Sequence, residues 1–170
     1  MGESGYILTL DQGTSSTKAG LIDIYGDVVC STQIPINQTF PQAGWVEQDP
    51  WEIFNSTIKA LKGLLQKSMV RPRDIHSIGL TNQRETTILW DSLSGEPLYN
   101  AVGWQCRRTS NHCQKLIKQG LDQKVRRITG LPIDPEFSAT KICWLLDHIP
   151  DGRLRASKGE IKFYPQKLIS

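Results

Sequence analysis

The stretch that most constrains this fold is Tyr6-Ile-Leu-Thr-Leu-Asp-Gln-Gly-Thr-Ser-Ser-Thr-Lys18. It predicts a strand over 6–10, a tight polar turn, and a second strand over 17–25. Asp11 stands at the end of the first strand. Gly13 can take positive φ or admit another group close to the backbone. Thr14, Ser15 and Ser16 follow with hydroxyls and successive N–H groups, which can form an anion-binding nest. Lys18 adds a cation. A carboxylate suits Mg²⁺ and the donors suit phosphate, so the segment fits nucleotide chemistry. The same residues also fit a polar hairpin whose Asp and Gly only shape the turn. The Walker spacing GxxxxGK[ST] and the GxGxxG pattern are both absent.

A third strand is predicted over 27–36, joined to the second through Gly26-Asp27, so the first three strands read as an antiparallel meander. Pro35 belongs at an edge or a strand end. Residues 37–49 form a loop in which Trp45 is expected to pack inward. Asp49-Pro-Trp-Glu52 predicts a helix start with Asp49 as cap, Pro50 at the first position and Glu52 at the third. The helix runs to about Ser68, with Phe54, Ile58, Leu61 and Leu65 as its apolar face. A strand over 75–80 follows, then a polar bend over 81–85 and a strand over 86–90. Strand, helix, strand after a meander implies a mixed sheet with a helix on one face. Helices are predicted over 108–118, 121–128 and 138–148, the last capped by Ser138. Ile142, Trp144, Leu145, Leu146 and Ile149 give that last helix its core face. Helical turns over 152–159 and a broken strand over 161–170 complete the chain.

Composition narrows the function classes. The 170 residues are 38% apolar and 22% charged, with a formal charge of +3, which fits one soluble globular unit. The basic residues are scattered apart from Arg107-Arg108 and Arg126-Arg127, which argues against a nucleic-acid stripe; the first pair is expected on the surface or at an interface. No run is long enough to span a membrane. Cys30, Cys106, Cys113 and Cys143 form no CxxC pair, and reduced thiols in a cytoplasmic protein are the simplest account. His76, His112 and His148 are too dispersed to hold a metal.

Two further polar clusters carry possible chemistry. In Asn82-Gln-Arg-Glu85, Arg84 supplies donors and Glu85 accepts, which together suit a polyol hydroxyl; a solvated local ion pair is the plainer alternative. In Trp104-Gln-Cys-Arg-Arg108, Trp104 can wall the carbon face of a sugar or polyol, or simply pack into the core.

Taken together and in order, five segments resemble the glycerol kinases of the FGGY carbohydrate kinase family. They are residues 10–18, 40–50, 78–87, 98–109 and 129–141, and the likeness extends from residue 6 to about 161. It implies an α/β, ribonuclease-H-like mixed sheet with helices, as in the actin, hexokinase and Hsp70 superfamily, truncated within the N-terminal domain (1–170). It also implies transfer of the ATP γ-phosphoryl to the 3-hydroxyl of glycerol with Mg²⁺. By similarity Asp11 positions the Mg²⁺–phosphate assembly, and Gly13, Thr14, Ser15, Ser16 and Lys18 meet the phosphates. Lys18 stands where the family usually has Arg, which keeps the charge and loses the fork. By similarity Arg84, Glu85 and Trp104 bind glycerol.

The family's substrate-binding Tyr falls at Glu136 here, an acceptor in place of a phenol and a second carboxylate beside Glu85. Another polyol, or weakened glycerol binding, is therefore the alternative substrate reading. A pentose or pentulose kinase and an inactive glycerol-binding module are the others. Family members are about three times longer, and their general-base Asp lies beyond residue 170, so this piece alone is expected to be inactive. The resemblance further implies a cytoplasmic homodimer or homotetramer for the full-length protein.

Overall fold

A computed structural model describes residues 5–165. They fold into two compact units, one of residues 5–37 and 49–83, the other of residues 38–48 and 84–165.

The first unit is a four-stranded sheet with one long helix. Its strands are β1 (Tyr6–Gln12), β2 (Ser16–Asp23), β3 (Val28–Pro35) and β5 (Ile75–Asn82), in the order β3-β2-β1-β5. β1 runs antiparallel to β2, β2 antiparallel to β3, and β1 parallel to β5. The predicted meander, mixed sheet and central first strand are all present, and Pro35 closes the edge strand β3. The chain passes from the edge strand β3 to β5, the parallel neighbour of β1, through α1 (Pro50–Ser68), since a strand entering parallel to its neighbour needs a crossover rather than a tight hairpin.

Helix α1 starts as its sequence dictates. The Asp49 side chain accepts from Trp51 N at 2.8 Å and Pro50 occupies the first turn. Glu52 does not turn back to the cap. Its Oε1 instead accepts from Asn37 N and Nδ2 at 3.1 and 2.9 Å, which ties down the chain leaving β3.

The face buried by α1 differs from the expected one. Ile53, Ser56, Ala60 and Leu64 are buried, whereas Phe54 is 54% exposed and Ile58, Leu61 and Leu65 lie at the margin. Small residues account for the rotation. Ser56 Oγ and Thr17 Oγ1 pair at 2.7 Å, and Thr32 Oγ1 donates to Ala60 O at 2.8 Å. Both contacts require close approach of helix to sheet, which the bulkier stripe one position away would prevent. Leu8, Ala19, Leu21, Ala60 and Leu64 form the resulting core. α1 lies over β2 and β3. On the same side of the sheet, Ile78 and Leu80 of β5 remain 63% and 49% exposed. Among the described residues β5 has a neighbouring strand on one side only.

The second unit has its own antiparallel sheet, β4-β7-β6-β8, of β4 (Glu47–Gln48), β6 (Thr87–Asp91), β7 (Ala101–Val102) and β8 (Ile161–Pro165). Around it lie α2 (Ser110–Lys118), α3 (Leu121–Thr129), α4 (Ser138–His148) and α5 (Gly152–Ser157). The core holds Val46, Leu89, Val102, Cys106, Leu145, Ile149 and Ile161. β4, inside the expected loop, escaped the sequence reading because two residues carry no alternation. The expected strand over 161–170 is present to Pro165; its remainder lies outside the described residues.

Two expectations are corrected here. Arg108 is not on the surface: its side chain is fully buried and donates to Glu47 Oε1 at 2.7 Å. Its Nε donates to Cys106 Sγ at 3.0 Å, and its guanidinium lies 4.0 Å from the Trp45 ring centre and 4.5 Å from that of Trp144. Burial works against this charge, but the hydrogen bonds to Cys106 and Glu47 outweigh it and raise its pKa. Trp45 does pack inward, edge-on to Trp144 at 5.2 Å. The second correction concerns Ser138, which does not cap α4. Phe137 holds the cap position in extended backbone, and the Ser138 hydroxyl serves Glu85 instead.

Candidate active site

Of the three predicted polar clusters, residues 11–18 lie in the first unit, 104–108 in the second, and 82–85 are divided between the units after Gln83. In the first unit, Asp11 sits at the C-terminal end of β1, directly across from Lys18 on β2 and Thr81 on β5. Lys18 and Asp11 share the sheet face opposite α1, since Leu8, Leu10, Ala19 and Leu21 alternate onto the helix side. Opposite charges at directly paired positions attract each other weakly when exposed.

The turn from Gly13 to Ser16 follows. Gly13 does not take positive φ. Its role is close approach: Gly13 N donates to Ser16 O at 3.0 Å, and an added Cβ would lie 3.1 Å from that carbonyl. Ser15 O accepts from Ile36 N at 3.0 Å, which fixes the turn against the end of β3. Ser15 is exposed and Thr14 half-buried. Ser16 is buried, and its Oγ accepts from Gln33 Nε2 at 2.9 Å. The turn's surface is therefore made by Thr14 and Ser15, with Ser16 and Gly13 bracing it from below. The first part of the second bend lies beside it. Gln83 N donates to Gln12 O at 2.8 Å and Gln83 Nε2 to Gln12 Oε1 at 3.3 Å, which joins the ends of the two parallel strands.

In the second unit, Glu85 is the centre of a polar cluster. Its backbone is left-handed, with φ of +65°, which costs a non-glycine residue about 1–2 kcal/mol. Its Oε2 accepts from both Ser138 N at 2.9 Å and Ser138 Oγ at 2.7 Å. The first turn of α4 thus presents a free N–H to a carboxylate, as a helix N-terminus favours. Glu136 stands just before α4, exposed, with its N–H donated to Asp134 Oδ1 at 2.8 Å. Asp134 also pairs with Arg107 at 3.0 Å. Trp104 is 36% exposed, and its N–H donates to Thr86 Oγ1 at 3.3 Å, next to Glu85. Arg84 is exposed. The structure therefore gathers Glu85 and Glu136 around the start of α4, with Trp104 anchored beside Thr86.

Lys141 was missed by the sequence reading. Its side chain is fully buried, yet Nζ donates to Glu85 O at 2.8 Å and also to Glu136 O. Burial pushes its pKa down to about 8, against the pull of Glu85, Cys106, Glu136 and Asp134. One signal was available: Lys141 lies four residues before Leu145 on the core stripe of α4, where an unpartnered charge is not tolerated. An apolar cavity of about 370 Å³ was also missed. It borders Glu85 and is walled by Leu116, Leu121, Val125, Leu131 and Phe137. Its wall comes from three separate segments, so no single stretch announces it.

The described residues contain no group of three or more His, Cys, Asp or Glu side chains suited to a metal, and no helix among them is long and apolar enough to cross a membrane.

A family model, the FGGY family of carbohydrate kinases, N-terminal domain, matches residues 6–165. The chain belongs to this family. Among curated FGGY relatives, the glycerol kinase of Thermoanaerobacter sp. (strain X514) is 48% identical over 158 residues, covering 93% of this chain and 32% of that protein. The glycerol kinase of Shewanella sediminis is 49% identical over the same shares. Among solved FGGY structures, the Plasmodium falciparum glycerol kinase with ADP superposes with a TM-score of 0.82 at 31% identity, over 95% of this chain and 32% of that one. A gluconate kinase from Lactobacillus acidophilus gives 0.76 at 30% identity, over 84% and 28%. The fold is the actin/hexokinase-like α/β arrangement of FGGY kinases. The chain spans about a third of the length of the curated relatives it matches.

Proposed function

We propose that residues 1–170 supply the phosphate turn and part of the alcohol site of an ATP-dependent glycerol kinase, which forms sn-glycerol 3-phosphate. The observation that carries this reading is the Glu85 carboxylate, held through one oxygen by Ser138 on a strained backbone. Strain of this kind persists where the surroundings over-determine it, and it clusters at ligand sites. The other carboxylate oxygen accepts from a glycerol hydroxyl, Arg84 donates to the next, and Trp104 packs on the carbon chain. The names of the relatives support glycerol as the alcohol and an adenine nucleotide as the donor.

Thr14 and Ser15 donate to phosphate oxygens, and Lys18 balances their charge. The single carboxylate of Asp11 fits Mg²⁺, which keeps most of its water and takes one or two carboxylates beside phosphate oxygens. When bound, the ion neutralises charge on the transferring phosphoryl group. The full-length protein acts in the cytoplasm as a homodimer or homotetramer in this reading.

A second substrate reading rests on Glu136. A second exposed carboxylate near Glu85 adds an acceptor, which suits a polyol with more donors than glycerol. Calorimetric titration of the chain with glycerol and with longer polyols decides between them. Saturable glycerol binding that Glu85→Gln weakens supports the first reading. A preference for a longer polyol supports the second, and no binding of any polyol overturns both.

A further inference from the structure

We propose that Lys141 is a positioning residue for the alcohol site: its buried ammonium clamps the backbones of Glu85 and Glu136 and so fixes both carboxylates at the start of α4. The inference rests on the reading of Glu85 as a polyol ligand.

Three observations converge. Lys141 is 0% exposed, and burying an ammonium is costly unless it is hydrogen-bonded. Its Nζ donates to two backbone carbonyls, those of Glu85 and Glu136, residues distant in sequence that both present carboxylates. Glu85 meanwhile sits in the left-handed region, at φ +65°, where a non-glycine residue stays only if something holds it. The Lys141 bond to Glu85 O holds the backbone on one side, and Ser138 holds the carboxylate on the other. A neutral residue of the same length fills the space but takes the ammonium from both carbonyls, leaving Glu85 O with the longer bond from the Thr87 hydroxyl at 3.2 Å. Lys141 touches the peptide groups rather than any substrate atom, so its effect passes through Glu85 and Glu136.

The ionisable groups acting on the ammonium are Glu85, Glu136, Asp134 and Cys106. All of them favour its charged form and burial opposes it, so its proton leaves within the accessible alkaline range.

The test compares the 170-residue chain with its Lys141→Met variant, using Leu145→Ala as a control that loosens the same helix without touching the clamp. By NMR, wild type and Leu145→Ala show the strong intraresidue HN–Hα contact of positive φ at Glu85. Lys141→Met is expected to lose it. Glycerol binding by calorimetry is expected to weaken about tenfold in Lys141→Met, as one or two hydrogen bonds to the site backbone are lost, and to change little in Leu145→Ala. In wild type, the amide shifts of Thr86 and Phe137 move together with a midpoint near that of Lys141, a step absent from Lys141→Met. Retention of positive φ at Glu85 in Lys141→Met, or unchanged glycerol affinity there, overturns the proposal. Should wild type bind no polyol, the functional reading fails, and the backbone comparison alone decides whether Lys141 sets the Glu85 geometry.

Discussion

Ser138 places both its N–H and its hydroxyl on the same oxygen of Glu85, at 2.9 and 2.7 Å. The first residue of α4 is thus committed to a carboxylate 53 positions earlier rather than to its own helix. Ser138→Ala removes one of two charge-assisted bonds and keeps the other. We expect a loss of about 1–2 kcal/mol in urea unfolding together with weaker glycerol binding, whereas a change in stability with full retention of affinity would show that the hydroxyl does not orient the carboxylate.

The buried Arg108–Glu47 pair has a very different weight from the surface pairs. Glu47→Ala leaves the guanidinium uncompensated between Trp45 and Trp144, and is expected to cost about 3–5 kcal/mol. Asp74→Ala, which breaks the exposed Arg71–Asp74 pair, is expected to cost under about 1 kcal/mol. Denaturant midpoints of the two variants, measured side by side, check the contrast.

Met69 ends α1 in the left-handed region with φ of +56° and ψ of 12°, while its side chain is 84% exposed. Its side chain contributes little packing and its backbone is strained. Met69→Gly is therefore expected to raise stability by about 1 kcal/mol, because glycine adopts this conformation without the Cβ penalty. Thermal unfolding should show the increase, and a fall would mean that the side chain packs after all.

Lys141 gives stability a pH dependence whose sign follows from its lowered pKa. The folded value is about 8 and the ordinary value 10.5. Below pH 8 both states are charged, and the fold bears the full cost of burying that charge. Between about 8 and 10.5 the unfolded chain holds the proton more tightly than the folded one, so this group's contribution rises with pH. Wild-type stability relative to Lys141→Met is therefore expected to increase from pH 7 to 9.5, by urea titration at each pH. A flat difference would contradict the burial argument.

Strong local signals made much of the architecture readable. The Asp49-Pro50 start of α1 and the Gly26-Asp27 hairpin were found because capping and turn chemistry act within a few residues. The rotated face of α1 was not, because periodicity weighs large apolar residues while the sheet selected the small Ser56 and Ala60 for close approach. The site divides in the same way. Glu85 and Trp104 stood out as residue types in a suggestive order, but the Lys141 bond to Glu85 and the Arg108 bond to Glu47 join residues more than fifty positions apart. Ser138 was recognised as special for the wrong reason: its side chain does bond at the helix start, to a distant acid instead of a neighbouring amide.

Ile78 and Leu80 have a practical corollary. Among the described residues β5 has a strand on one side only and shows these two aliphatic side chains about half or more exposed, the pattern of an edge that can template another strand. Concentrated solutions of this polypeptide should therefore tend toward self-association along β5, and a lysine at either position would be the economical way to keep it monodisperse.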